Sequence, residues 1–379
     1  MILTAKRNLL QGIVLLLIII ILGLLFLNAK NNLSQQGIQS GFHFLGLESG
    51  FEVSESVIDF TPRDTYFTAL LVGILGTLKV SLVGVLFALI IGVFVGLMRL
   101  SENWLLAKLS LSFIEIIRNI PLLLQLFFWY ALFTEFLPSV RNSLRPFSNV
   151  FLNNRGLFLP AVELGARWDL MFLSLALSLV VLFFYRKKWQ KIKNDLGVDW
   201  RFKKYILCLP LVMFLLPWVF SGAKFDFILP KHIGFNIVDG ISASPEFIGL
   251  LLGLSLYTGA FMAEIIRSGI LSVHKGQWEA AKSLGLSRTQ VLFKVVIPQS
   301  LRVIIPAMTS QILNLIKNSS LAVAIAYPDF VSVANTILNQ TGQAIEVIGI
   351  IMAVYLIFSL STSFFMNWYN RKVLWGQVK

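Results

Sequence analysis

The sequence predicts an all-α, polytopic membrane protein, and three observations predict it. Of 379 residues 56% are hydrophobic and 13% charged, where a soluble chain of this size carries about 25% charged residues. Eight apolar runs approach or exceed the roughly 20 residues that cross a hydrocarbon layer. The runs are continuous rather than alternating, so they read as helices and not as the strands of a membrane barrel. A water-soluble enzyme is excluded, as are collagen and coiled coil, because neither a G-X-Y period nor a charged heptad appears. With a single cysteine, Cys208, no intrachain disulfide can form.

In chain order the runs are 9–27, 67–98, 120–137, 170–185, 205–221, 247–263, 303–327 and 347–368. The first follows Lys6 and Arg7 in the manner of a signal peptide, but it is long for one and is expected to be a retained helix. The second is overlong and contains Lys79; its part 82–98 is expected to span while the earlier half lies at the interface. The net charge of +13 sits between the apolar runs rather than interleaved with aromatics, so it reads as a topology signal and not as a nucleic-acid surface. Connections on one side carry 21 of the 32 Lys and Arg and those on the other carry eight, which by the positive-inside rule places both termini in the cytoplasm. The outer polar lengths 28–66, 138–169 and 222–246 are too short for an ordinary catalytic domain. The inner run 186–204, basic and containing Trp189 and Trp200, reads as an anchor against anionic lipid.

The segment after the sixth run carries the most specific signal. Residues 277–284 are good helix formers apart from Ser283, and Gly285 stands where a left-handed residue ends a helix, with Leu286 placed for the accompanying apolar contact. Ser287 followed by Gln290 is a capping box that starts a second helix. That helix is expected to bury Leu292, Val295 and Val296 and to be limited by Pro298. Glu279, Ala280 and Ala281 are expected on the exposed face of the first helix, where a partner could grip them.

Within the membrane, ionisable and amide groups are candidate site residues, since each is costly unless it faces protein or water. In the third run Glu115, Arg118, Leu122, Gln125 and Trp129 recur at helical spacing, and in the seventh Gln311, Asn314, Lys317, Asn318 and Leu321 do the same; the sixth offers Ser255 and Thr258. Gln125, Thr258, Gln311, Asn314, Lys317 and Asn318 are the candidates for a polar lining. Interhelical hydrogen bonding or snorkelling is the competing reading of the same groups. Glu115 with Arg118, and Glu264 with Arg267, are spaced i, i+3 and are expected as ion pairs at a gate or in local scaffolding. Gly92 and Gly96 form a small-xxx-small pair that permits close helix approach.

Glu279-Ala280-Ala281, Gly285 and Ile297-Pro298 resemble the "EAA" loop of ATP-binding-cassette importer permeases. The stretches 73–81, 99–101, 118–125, 257–269, 298–302 and 317–321 resemble the polar amino-acid branch of that family, and 154–160, 327–329 and 339–346 its general L-amino-acid subgroup, in the long permease form. The resemblance implies a type I importer transmembrane domain with about eight spanning helices: a five-helix core, one N-terminal helix and a two-helix insertion. The implied segments are 1–66, the core parts 67–137 and 246–370, the insertion 138–245, and a tail 371–379, with the coupling loop at 270–306. It implies that Glu279, Ala280, Ala281, Gly285, Ile297 and Pro298 couple the chain to a separate ATPase subunit, and that Gln125, Thr258, Gln311, Asn314, Lys317 and Asn318 are the expected pathway residues, since amides, hydroxyls and a few charges suit an amino acid that must be held weakly enough to leave. The implied partners also include a second, non-identical permease subunit, a periplasmic amino-acid-binding protein, membrane lipid and an L-amino acid, at a bacterial inner membrane. No G-x-x-x-x-G-K-[ST] loop occurs, so ATP and Mg are expected on the ATPase and no cofactor on this chain. His43, His232 and His274 have no metal-ligand spacing, and no nucleophile elbow or carboxylate pair suggests a catalytic site. The rivals are a self-sufficient secondary transporter, which should show paired inverted halves that the sequence lacks, and a scaffolding membrane protein.

Overall fold

The computed structural model describes residues 2–35, 41–163, 173–182, 185, 212–213 and 226–375. Ten helices organise it: α1 (Ile2–Gln35), α2 (Tyr66–Arg99), α3 (Trp104–Asn119), α4 (Leu122–Ala131), α5 (Pro245–Leu271), α6 (Lys275–Ser283), α7 (Arg288–Val291), α8 (Ile297–Asn318), α9 (Phe330–Thr341) and α10 (Ala344–Trp375). Among the described residues four helical stretches are long and apolar enough to cross a membrane: Tyr66–Arg99, Pro245–Leu271, Arg288–Ile325 and Ala344–Tyr369; the bent pair α3–α4 makes a fifth if counted as one span. Of the expected fourth and fifth spans, an apolar helix Leu173–Leu182 is described; residues 185 and 212–213 are described as well, and the rest of those two runs lies outside the described residues. In α1 the described apolar side chains from Leu10 to Leu27 are exposed.

The chain divides into two compact units, one of residues 1–135 with 244–379 and one of residues 136–243. The first is built on α2 and α5. Thr65 and Ser244 cap these helices by accepting hydrogen bonds from the Thr68 and Phe247 backbone N–H groups, and Pro245 fits the first turn of α5, where its missing donor costs nothing. Their close approach depends on small residues. A methyl group added at Gly92 would stand 2.6 Å from the Met262 Cβ, and one at Gly96 2.8 Å from the Ala263 carbonyl oxygen. Gly259 meets Ile91 in the same way from the α5 side, so the small-residue spacing seen in the sequence is a packing surface.

The third run departs from a straight span. Ile120 is extended (φ −98°, ψ 129°), α3 stops at Asn119, and α4 starts after Pro121 at an angle of 103°. Proline pushes its predecessor out of the helical region and brings no donor, so the helix breaks there. The reading of Glu115, Arg118, Leu122, Gln125 and Trp129 as one continuous face is thereby corrected, since the first two belong to α3 and the others to α4.

A second apolar cluster joins Phe44, from a 3-10 turn His43–Gly46, to Tyr66, Ala69 and Leu70 of α2, to Phe330, Val333, Ala334 and Ile337 of α9, and to Val347 of α10. Asp329 caps α9 by accepting the Ser332 N–H at 2.9 Å, and Gly342 (φ +69°) ends it. Asp329 is fully buried, and burial pushes its carboxyl up to about 7.

The second unit contains strands where the sequence suggested loops. β1 (Leu144–Phe147), β2 (Val150–Asn153), β3 (Gly156–Leu159) and β8 (Ile241–Ala243) form an antiparallel sheet in that order; β4 (Ala161–Glu163) pairs with β5 (Asp226–Ile228), and β6 (Lys231–Ile233) with β7 (Asn236–Val238). At three or four residues each, these strands are too short to show an alternating pattern. They cover a small core of Val140, Phe151 and Ile237.

Candidate functional site

Two features meet on α8, a folded knuckle at its start and a cavity near its end. The knuckle begins with His274, whose Nδ1 accepts the Gly276 N–H at 3.1 Å and so caps α6. At the other end Gly285 takes φ +74°; its N–H donates to the Lys282 carbonyl at 2.9 Å and the Leu286 N–H to the Ala281 carbonyl at 3.3 Å. This pair of bonds is the Schellman closure. The capping box is present: Ser287 Oγ accepts the Gln290 N–H at 3.4 Å, and Gln290 Oε1 accepts the Ser287 N–H at 3.0 Å.

The knuckle has a core of its own. Val273, Ala281, Val291 and Val296 are buried together, with Ile270, Trp278, Leu286, Leu292 and Val295 packed against them. Ala281 was expected on the exposed face and is instead 4% exposed; Glu279 and Ala280 are exposed. Neighbouring residues of a helix point about 100° apart, so Ala281 can turn inward while Ala280 stays exposed, and the inward one anchors the helix to its own chain. Leu284, 80% exposed, lies four residues beyond Ala280 on the outward side.

The expectation that Pro298 ends the second helix is also corrected. After α7 the chain makes a π-helical turn, Leu292–Val296, and α8 continues directly from Ile297 with Pro298 in its first turn. The π-helical turn comes just before the proline, and helical structure runs from Arg288 through Ile325.

Near the far end of α8, Gln311, Asn314 and Asn318 face Tyr257, Thr258 and Phe261 of α5 around a cavity of about 240 Å³. Four of the six expected pathway residues are thus brought together. Lys317 is exposed and does not line this cavity. Gln125 lies elsewhere: its Nε2 donates to the Ile117 carbonyl at 2.8 Å and the Ile120 carbonyl at 2.9 Å, acceptors that the break at Pro121 leaves without helical donors. Tyr257 and Phe261, whose rings meet tilted at 53° with centroids 5.0 Å apart, were not picked out as site residues. Their i, i+4 spacing around Thr258 is the signal that could have found them.

The two expected ion pairs behave differently. Arg267 Nε donates to Glu264 Oε2 at 2.9 Å within α5. Glu115 and Arg118 do not pair: Glu115 Oε2 accepts from Asn119 Nδ2 at 3.4 Å, and the Arg118 guanidinium lies 4.8 Å from the centroid of Phe261. With an aromatic face of α5 in reach, the guanidinium takes the ring quadrupole as its partner. A positive charge thereby backs one wall of the cavity. Among the described residues no group of three or more His, Cys, Asp or Glu is placed to hold a metal ion.

The family described as "Binding-protein-dependent transport system inner membrane component" matches residues 201–375. YhdX of Escherichia coli (strain K12), named for an amino-acid ABC transporter permease, is 47% identical over 98% of this chain and 94% of its own. The general L-amino acid transport system permease protein AapQ of Rhizobium johnstonii is 45% identical over 94% of this chain and 90% of its own. BztB of Rhodobacter capsulatus, a glutamate/glutamine/aspartate/asparagine transport system permease protein, is 35% identical over 96% and 92%. Identity at this level over nearly the whole length shows that the chain belongs to the amino-acid ABC transporter permeases, inner membrane components of binding-protein-dependent transport systems.

Proposed function

We propose that this permease subunit carries L-amino acids inward, with the cavity between α5 and α8 as part of the pathway and the α6–α7 knuckle as the place where a separate ATPase subunit acts. The carrying observation is mechanical continuity. The outward face of α6 presents Glu279, Ala280 and Leu284, its inward face is locked through Ala281 to Val291 and Val296, and the helix that follows lines the cavity with Gln311, Asn314 and Asn318. A displacement applied to α6 therefore moves a cavity wall. Amide, hydroxyl and aromatic lining, backed by Arg118, suits a zwitterion that must be released again.

In this reading ATP and Mg bind only the ATPase, which favours one position of the knuckle over the other as it closes. Ile297 and Pro298 join the knuckle to α8, and the Glu264–Arg267 pair stiffens the cytoplasmic end of α5. A soluble binding protein delivers the amino acid from the outer side, a second and non-identical permease completes the pathway, and both termini of this chain lie in the cytoplasm. The names of AapQ and BztB, which mention general L-amino acids and glutamate, glutamine, aspartate and asparagine, support that substrate class.

The test is uptake of labelled amino acids into proteoliposomes holding both permeases, with and without the ATPase and ATP. ATP-dependent uptake is expected; uptake that persists without the ATPase would establish a secondary transporter instead.

A further inference from the structure

Lys79 lies 13 residues into α2, and its side chain, 35% exposed, has partners from two other parts of the chain. Its Nζ is 2.5 Å from Glu55 Oε1 and 4.6 Å from the centroid of Phe247, near the start of α5. The other oxygen, Glu55 Oε2, accepts a hydrogen bond from the Ser244 hydroxyl at 2.6 Å, while that same hydroxyl caps α5 by accepting the Phe247 N–H. Tyr327 packs its ring against Phe247 at 5.9 Å. A carboxylate is thus held at both oxygens, by an ammonium group and a hydroxyl, beside an aromatic wall.

The carboxylate comes from a loop tied together at its neck. The Ser49 N–H donates to the Asp64 carbonyl at 2.8 Å and the Gly50 N–H to the Pro62 carbonyl at 2.9 Å, which closes the neck. Phe51 and Phe60 touch just inside it, with centroids 6.1 Å apart. Residues 51–60 carry no helix or strand, so no ladder or helical hydrogen bond holds the tip bearing Glu55. Lys79 belongs to a 34-residue helix and Ser244 to the cap of another.

We infer that Lys79 and Ser244 form a carboxylate-binding station for the amino acid in transit, and that Glu55 is an internal stand-in that the substrate's α-carboxylate displaces. Exchange of one carboxylate for another never strands the half-buried ammonium group, whose isolation would be costly, and it keeps the station from holding substrate tightly. The inference rests on the amino-acid importer reading above.

The experiment compares uptake by the full reconstituted transporter carrying Glu55→Gln, Lys79→Gln or the exchanged pair Glu55→Lys with Lys79→Glu, with co-purification of all subunits as the control for assembly. Weakening the internal competitor in Glu55→Gln is expected to lower the half-saturating concentration several-fold. Lys79→Gln is expected to reduce uptake about tenfold, the scale of one lost charge-assisted bond. The exchanged pair restores the ion pair but offers substrate a carboxylate, so it is expected to assemble and to transport no better than Lys79→Gln. Wild-type uptake by the exchanged pair, or an unchanged half-saturating concentration in Glu55→Gln, would reduce the contact to structural pairing and overturn the station alone. A wild-type complex that hydrolyses ATP yet takes up no amino acid would overturn the importer reading and the station with it.

Discussion

Asp329 shows what a single residue can report. Its carboxyl caps α9 from a fully buried position, and desolvation raises it from 3.8 to about 7. A carboxyl raised on folding favours the folded state below its ordinary range, and this contribution is lost as pH rises through the folded value. Thermal melts of the purified complex are therefore expected to fall as the pH rises from about 4 to about 7, with Asp329→Asn showing a flatter profile across that window. Parallel profiles for the two proteins would remove the assignment. Gln125 makes a second case. Replacing it with leucine leaves the Ile117 and Ile120 carbonyls without their donor, at a cost of about 1–3 kcal/mol each if they stay unsatisfied. Gln125→Leu is expected to lower the melting temperature of the complex with little change in amino-acid preference. An unchanged melt with altered preference would return Gln125 to the pathway.

At the scale of elements, the knuckle depends on one backbone conformation. Gly285 at φ +74° has open space around it, so what limits substitution there is backbone strain and not collision. The left-handed region costs an ordinary L-residue about 1–2 kcal/mol, more for a β-branched one and less for asparagine. Recovery of the ATPase with the permease is expected to fall in the order Gly285→Asn, Gly285→Ala, Gly285→Val. Equal recovery across the series would separate the turn from ATPase binding. The α2–α5 contact is set in a different way, by the absence of side chains at Gly92, Gly96 and Gly259, which lets two long helices meet almost backbone to backbone. In the function proposed above, this pair is the frame against which α8 shifts.

On the scale of the molecule, a single continuous helical stretch from Arg288 to Ile325 connects the knuckle to the cavity between α5 and α8. If Asn318 meets substrate, Asn318→Leu should change the uptake rate or the ranking of amino acids while all subunits still co-purify. Unchanged uptake and ranking would take α8 out of the pathway. Lys317, one residue away and exposed, provides a contrast, since Lys317→Gln is expected to disturb uptake less than Asn318→Leu.

What the sequence determined by itself is what short-range chemistry dictates. Continuous apolar runs can satisfy their backbone in lipid only as helices, Gly285 can turn left-handed where other residues strain, and Ser287 and Gln290 cap each other across three residues. Amides spaced three and four apart on α8 had to share a face, although which helix would face them was not written in that spacing. Tertiary structure decided whatever depends on a second surface. It turned Ala281 inward because Val273 and Val296 were there to receive it, let α8 run on past Pro298 through a π-helical turn, and moved Arg118 from Glu115 to Phe261. It also brought Glu55 to Lys79, 24 residues away along the chain and joined by no periodicity. Local pattern fixes which groups an element can offer; only packing selects the partner, because burial and charge pairing are settled between elements far apart in the chain.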